Sequence, residues 1–179
     1  MTEPVLSIRG LRLKAQLRDT SFAPVTDAHV TVRPGEIVGL VGESGSGKTL
    51  TALSALRLMP ANISVESGSI TIDERDVLSL TESELARVRG SVASIVFQDS
   101  LGSLNPSIRV ERQVAEAITA HESGDQRSAM ARAHMSLSHV GFPLDRAMAY
   151  PHQLSGGLRQ RVAIAIATAC RPKLLIADE

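Results

Sequence analysis

The sequence predicts an α/β fold that begins with an antiparallel β portion and carries an inserted block of helices. Three observations lead there. Alternating apolar positions recur before residue 33 with no helix between them. After that, short runs of Val, Ile and Leu alternate with segments of helical period, the pattern of a parallel sheet with crossover helices. Residues 99–154 are polar and helix-prone and hold no convincing strand. With 179 residues, 43% of them hydrophobic, the chain is one domain, or one domain with an insertion. Its 19 basic and 19 acidic residues cancel, and no stretch forms the basic footprint of a nucleic-acid binder. The longest apolar run, 162–170, is far below the roughly 20 residues that a bilayer needs. Met1-Thr2-Glu3-Pro4 lacks the charged and apolar regions of a signal peptide. One cysteine, Cys170, excludes an internal disulfide framework and reads as a small apolar residue at a helix end. The chain thus reads as soluble and cytoplasmic.

Each element has its own signal. Residues 5–14 alternate well enough for a strand, and 25–32 for a second, ended by the turn pair Pro34-Gly35. Residues 37–41 are continuously apolar and β-branched, as in a strand buried on both faces. A glycine-rich loop follows, then helical spacing over 48–59, stopped by Pro60. Residues 68–78 read as a hairpin or sheet edge. Thr81 with Glu84 forms a capping box for a short helix ended by Gly90, and 92–97 is another strand. Helices are expected near 109–121 and 126–140, then one from Gly156 to about Cys170, apolar almost all round in its second half. The final run, Leu174 to Glu179, reads as a buried strand. Chains rarely end on one, so the chain reads as cut at its C-terminus. His29, His121, His134, His139 and His152 show no metal spacing and read as surface or capping residues.

Chemistry concentrates in two strings and a strand end. Gly42-Glu43-Ser44-Gly45-Ser46-Gly47-Lys48-Thr49 fits G-x-x-x-x-G-K-[ST] between an expected strand and an expected helix. Its glycines let successive backbone N–H groups converge on phosphate oxygens. Lys48 would reach the β- and γ-phosphates, and the Thr49 hydroxyl would ligate Mg²⁺. Asp178 closes the last apolar run where α/β sheets place ligands, and would hold the same Mg²⁺. Glu179, one position on, is placed to polarise an attacking water. In Leu154-Ser155-Gly156-Gly157-Leu158-Arg159-Gln160-Arg161, a serine and two glycines open a long helix, a second anion site. Its plain alternative is a helix capped by its own serine. Two phosphate sites with one nucleotide loop imply that the second serves another molecule's nucleotide.

That second string resembles the signature of ABC (ATP-binding cassette) ATPases. The resemblance implies a P-loop NTPase (RecA-like) core, with 1–98 as its first part, 99–154 as a helical signature subdomain, and 155–179 as signature helix and Walker B strand. It implies head-to-tail pairing of two subunits, each ATP lying between one P-loop and the partner's Leu154, Ser155, Gly156, Gly157 and Gln160. Val96-Phe97-Gln98-Asp99 resembles the Q-loop, whose Gln98 would touch Mg²⁺ and the water and couple to membrane subunits. The run Phe97 to Pro106, with Tyr150-Pro151-His152-Gln153 and Ala169-Cys170-Arg171-Pro172-Lys173, is similar to the oligopeptide/dipeptide importer branch.

Three departures stand out. The family's adenine-stacking aromatic falls at Ala15, and Phe22 is the one aromatic nearby. Ser100 stands where the branch usually has Pro. The D-loop and switch histidine would lie beyond Glu179, so the chain alone is expected to bind nucleotide without turnover. The expectation is an ATP-binding importer subunit at the cytoplasmic face of the membrane, with ATP and Mg²⁺ as cofactors. Its partners would be a second ATP-binding subunit, transmembrane permease subunits and, indirectly, an extracytoplasmic solute-binding protein, with no nucleic acid. The rivals are an ABC ATPase acting on nucleic acid or ribosomes, a nucleotide-binding fragment without turnover, and a small-molecule kinase, which has no use for 154–161.

Overall fold

The computed structural model describes residues 3–18, 20–98 and 102–178. It divides into two compact units, 1–86 and 87–179.

The first unit is built on a four-stranded antiparallel sheet of order β2-β1-β3-β4. Strands β1 (Leu6–Leu17) and β2 (Thr20–Val32) pair along their length, and β1 pairs on its other side with β3 (Ile63–Ile72). One face is dry, with Ile8, Leu11, Leu13, Ile70 and Ile72 fully buried. The expected hairpin is present. β3 turns into β4 (Arg75–Asp76) through Asp73 and Glu74, both at positive φ, the backbone that a tight two-residue hairpin demands. Gly68, at φ +101, lies so close to β1 that a Cβ would meet the Gly10 carbonyl oxygen at 2.6 Å.

Two expectations in this unit need correction. The apolar run 37–41 is not a strand: it carries no ladder, and Ile37 and Val41 are 99% and 94% exposed. A strand exists only as a pair, and among the described residues nothing is hydrogen-bonded beside this one. The helix expected over 48–59 is α1 (Lys48–Ser54), a turn shorter. Arg57 takes φ 50, Leu58 donates to the Leu53 carbonyl and Arg57 to that of Ser54, which is a Schellman ending. The Arg57 guanidinium holds that ending by donating to the Leu80 carbonyl at 2.6 Å.

At the division lies α2 (Glu82–Val88), opened by the expected capping box: Thr81 N–H donates to Glu84 Oε2 at 2.8 Å. In the second unit β5 (Ala93–Val96) and β6 (Leu174–Ala177) pair in parallel, as their apolar composition predicts. Between them in sequence come α3 (Val110–Thr119), α4 (Gln126–His139) and α5 (Gly156–Thr168). Val110, Val114, Ile118, Ala133, Leu137, Leu154, Val162 and Ala165 belong to one core, so α5 packs with α3 and α4. Alanines at 163, 165 and 167 keep α5 slim where it is buried.

Polar ties brace this core. Glu122 receives two hydrogen bonds from the Arg132 guanidinium, one at 2.8 Å, and Arg132 also donates to the Ala169 carbonyl at 3.3 Å. The hydrogen bond from Arg132 holds the Glu122 carboxyl below its ordinary pKa. His134 Nε2 lies 2.7 Å from Glu111 Oε2, joining α4 to α3. At Gly90, φ +88, the His121 ring occupies the space a Cβ would need.

Candidate functional site

The phosphate loop 42–49 lies in the first unit, leading into α1, whose N-cap is Gly47 at φ 88. Its geometry depends on two glycines. A Cβ on Gly42 would meet Ser46 Oγ at 2.8 Å, and one on Gly47 would meet Val25 Cγ2 at 2.8 Å and the Pro24 carbonyl oxygen at 2.9 Å. Only bare backbone fits, and it leaves Glu43, Ser44, Gly45 and Ser46 exposed. Lys48 Nζ donates to the carbonyls of Gly42 and Glu43, 2.8 Å each, so the cation is held over the loop. Beside the loop is an open cavity of about 320 Å³, lined among others by His29, Leu40, Ser46, Lys48 and Thr51. The donor set and the absent side chains suit an anion of phosphate type. Thr49, expected on a metal, is exposed at the start of α1.

In the second unit, parallel pairing puts the carboxyl ends of β5 and β6 at one edge. Val96 is in register with Ala177, and Asp178 N–H donates to the Val96 carbonyl at 3.0 Å. Asp178 therefore follows β6 directly, and Gln98 follows the neighbouring β5 after Phe97. Glu179, the expected catalytic acid, lies outside the described residues, as do Asp99, Ser100 and Leu101.

The start of α5 has one buried anchor and an open face. Leu154 is 3% exposed and belongs to the helical core, while Ser155, Gly156, Gly157 and Gln160 are exposed. Ser155 occupies the N-cap position, yet its side chain makes no cap hydrogen bond. Asp125, capping α4, accepts from Ser128 N–H at 2.6 Å. An ordinary serine cap is thus not what stands at α5. The approach to the helix is rigid: Tyr150 and His152 stack at 5.7 Å, Arg109 lies over Tyr150, and Arg159 Nε donates to the Pro151 carbonyl at 2.8 Å.

One feature was not anticipated from the sequence. Gln113, only 9% exposed, clamps the segment before α3: it accepts from Asn105 N–H and donates to the Asn105 and Ile108 carbonyls. A polar residue inside the apolar stripe Val110, Val114, Ile118 is the signal that could have found it. Phe22, read from the sequence as the aromatic near Ala15, is in register with it. Cys170 matches its expectation in part: it is half-buried at the helix end, and burial pushes its thiol pKa up.

Residues 25–179, nearly the whole chain, match the family described as ABC transporter. This chain belongs to the ABC transporter family. Among its relatives, the oligopeptide transport ATP-binding protein OppD of Escherichia coli is 41% identical over 99% of this chain and 53% of its own length. The peptidoglycan transport ATP-binding protein YejF of Agrobacterium fabrum is 45% identical over 99% of this chain and 33% of its own. The chain thus spans about half or less of these relatives. Among solved structures, the ATP-binding cassette MJ0796, in a dimeric post-hydrolysis state bound to ADP and Pi, aligns with TM-score 0.86 and 26% identity. That alignment covers 97% of this chain and 73% of the other. The fold is that of an ABC ATPase cassette, and the mixed α/β reading with its antiparallel start holds. No helix among the described residues is long and apolar enough to cross a membrane.

Proposed function

We propose that this ABC-family chain is the ATP-binding part of a peptide importer, coupling ATP binding and hydrolysis to solute passage through separate membrane subunits. The observation that carries this is the exposed, uncapped Ser155 end of α5 on a chain that also holds a phosphate loop. Other P-loop enzymes, small-molecule kinases included, have no use for that second site. Peptides are favoured because relatives at this level of identity are named for oligopeptide and peptidoglycan transport.

When bound, MgATP supplies the phosphoanhydride whose hydrolysis drives the cycle. The chain's own residues bind and orient it. The loop 42–49 wraps the phosphates with backbone N–H groups, and Lys48 turns its ammonium from two neutral carbonyls to charged oxygens. Thr49 in the first unit, and Gln98 and Asp178 in the second, each carry an oxygen of the hard type that Mg²⁺ would take. Gln98 also orients the attacking water, and Glu179 accepts its proton. Ser155 with the Gly156 and Gly157 N–H groups serves the nucleotide on a second subunit. The composite site is therefore complete only when two subunits pair. Segments 1–98, 99–154 and 155–179 act as first core part, helical subdomain, and signature helix with Walker B strand. The work is done at the cytoplasmic face of the membrane, beside permease subunits that a solute-binding protein supplies.

The test is uptake of a labelled tripeptide by cells lacking the gene, restored with the parent or with Lys48→Ala. Restoration by the parent alone is expected. Equal restoration by Lys48→Ala would remove ATP from the mechanism, and ATP binding with no effect on uptake would remove peptides.

A further inference from the structure

Gln113 is a buried polar side chain set in the apolar stripe of α3, and the nucleotide chemistry makes no use of it. Its amide meets three backbone groups: Oε1 accepts from Asn105 N–H at 2.9 Å, and Nε2 donates to the carbonyls of Asn105 at 2.9 Å and Ile108 at 2.7 Å. Those bonds fix the turn that delivers Arg109 to the N-cap of α3. Arg109 gives the helix no side-chain cap. The cap comes instead from a distant segment: Val110 N–H donates to the Ala149 carbonyl at 3.0 Å, and Glu111 N–H to that of Ala147 at 3.1 Å. The same segment runs on to the start of α5. Tyr150 lies under the Arg109 guanidinium, and its N–H donates to Gln153 Oε1 at 2.8 Å. The Pro151 carbonyl accepts from Leu154 N–H at 3.1 Å and from Arg159 Nε at 2.8 Å. Arg159 N–H in turn donates to the Ser155 carbonyl at 3.0 Å. Each step from Gln113 to Ser155 is thus a hydrogen bond, a ring contact or the chain itself.

We propose that Gln113 is a positioning residue: by clamping the entry of α3 it holds segment 147–154, and through it Ser155, in place for the nucleotide of a second subunit. This rests on the composite-site reading of Ser155. A carboxamide of this length fills the role because the three backbone groups take one acceptor and two donors from a single side chain. Leucine fills the space and supplies neither. Ionised glutamate keeps the shape and the acceptor, but turns lone pairs toward two carbonyls that need donors.

The experiment compares Gln113→Leu and Gln113→Glu with the parent, and adds Ile118→Val, which loosens the same core without touching the clamp. Amide hydrogen exchange on the chain reads the coupling. Both Gln113 variants should speed exchange at Val110, Glu111 and Leu154 by about fivefold or more, and leave the amides of α4 at parent rates. Steady-state hydrolysis by the full-length protein reads the function. Both Gln113 variants should lose about fivefold or more in kcat with KM for ATP within about twofold of the parent, because the loop 42–49 is untouched. Ile118→Val should keep the parent kcat. Exchange that quickens equally in α4 overturns the proposal, since Gln113 would then only stabilise the core. So does a parent kcat in both Gln113 variants, a rise in KM at unchanged kcat, or an equal loss in Ile118→Val. A full-length parent that does not hydrolyse ATP overturns the composite-site reading, and is told apart from failure of Gln113 by the exchange pattern.

Discussion

Lys48 Nζ donates to the Gly42 carbonyl at 2.8 Å, so the lysine that ends the loop closes back onto the residue that begins it. The ammonium is held at the centre of its own loop by neutral acceptors that charged phosphate oxygens outbid. Lys48→Ala should weaken MgATP by about tenfold or more, as expected for a lost charged hydrogen bond. Isothermal titration checks it, and an affinity within about threefold of the parent would sink the role assigned to Lys48.

Gly45 and Gly47 separate backbone strain from collision. Both have positive φ, but a Cβ on Gly45 meets nothing within 4 Å, while one on Gly47 strikes Val25 and Pro24. Gly45→Ala should cost about 1 kcal/mol of stability from strain alone. Gly47→Ala should cost about 2–4 kcal/mol, since a backbone carbonyl cannot step aside. Urea midpoints of the two variants decide it; equal shifts would mean that the contact with β2 is absent.

The Glu122–Arg132 pair should leave a signature in acid. Its hydrogen bond depresses the Glu122 carboxyl in the folded state, so the unfolded chain takes up the proton first as pH falls. The stabilisation is present above the unfolded value of about 4.3 and fades as pH drops through the folded one. Both side chains are more than a third exposed, which limits the effect to about 1 kcal/mol or less. Glu122→Gln should therefore be less stable than the parent at pH 6 and converge with it near pH 3. A constant gap across that range would show that the charge is not responsible.

If Ser155 serves a partner's nucleotide, complementation follows. In the full-length protein, Ser155→Arg should block hydrolysis while sparing ATP binding. Mixing Ser155→Arg with Lys48→Ala subunits leaves one intact composite site and should restore part of the activity that each lacks alone. Parent-rate hydrolysis by the Ser155→Arg homodimer would contradict a shared site.

Base preference should be slight, with ATP favoured over GTP by less than about tenfold, because Ala15, where the family's aromatic falls, offers no ring face. Competition of GTP against labelled ATP measures this. A hundredfold preference would require a polar group reading the base edge.

The sequence made the motifs and the helical block legible because their signals are local. Thr81 and Glu84 cap α2, and Gly90 ends it, through bonds and angles set within a few residues. Residues 37–41 announce a need for burial but cannot name a partner strand, and none is paired with them here. Pro60 is the visible stop signal after α1, whereas Arg57, a residue with no turn preference, makes the stop. Phe22 opposite Ala15 depends on a bulge, and one inserted residue moves every later pairing without changing the composition.

The parallel pairing of β5 with β6 also has a kinetic meaning. Three helices separate the two strands in sequence, so the loop their pairing must close is long and its entropy is recovered only once α3, α4 and α5 have condensed. The loop 42–49 needs only β2 and α1, its near neighbours in the chain. During synthesis the loop would be ready early, and the strand edge bearing Gln98 and Asp178 would form last. A nascent chain could then complete the loop well before the strand edge that Gln98 and Asp178 follow.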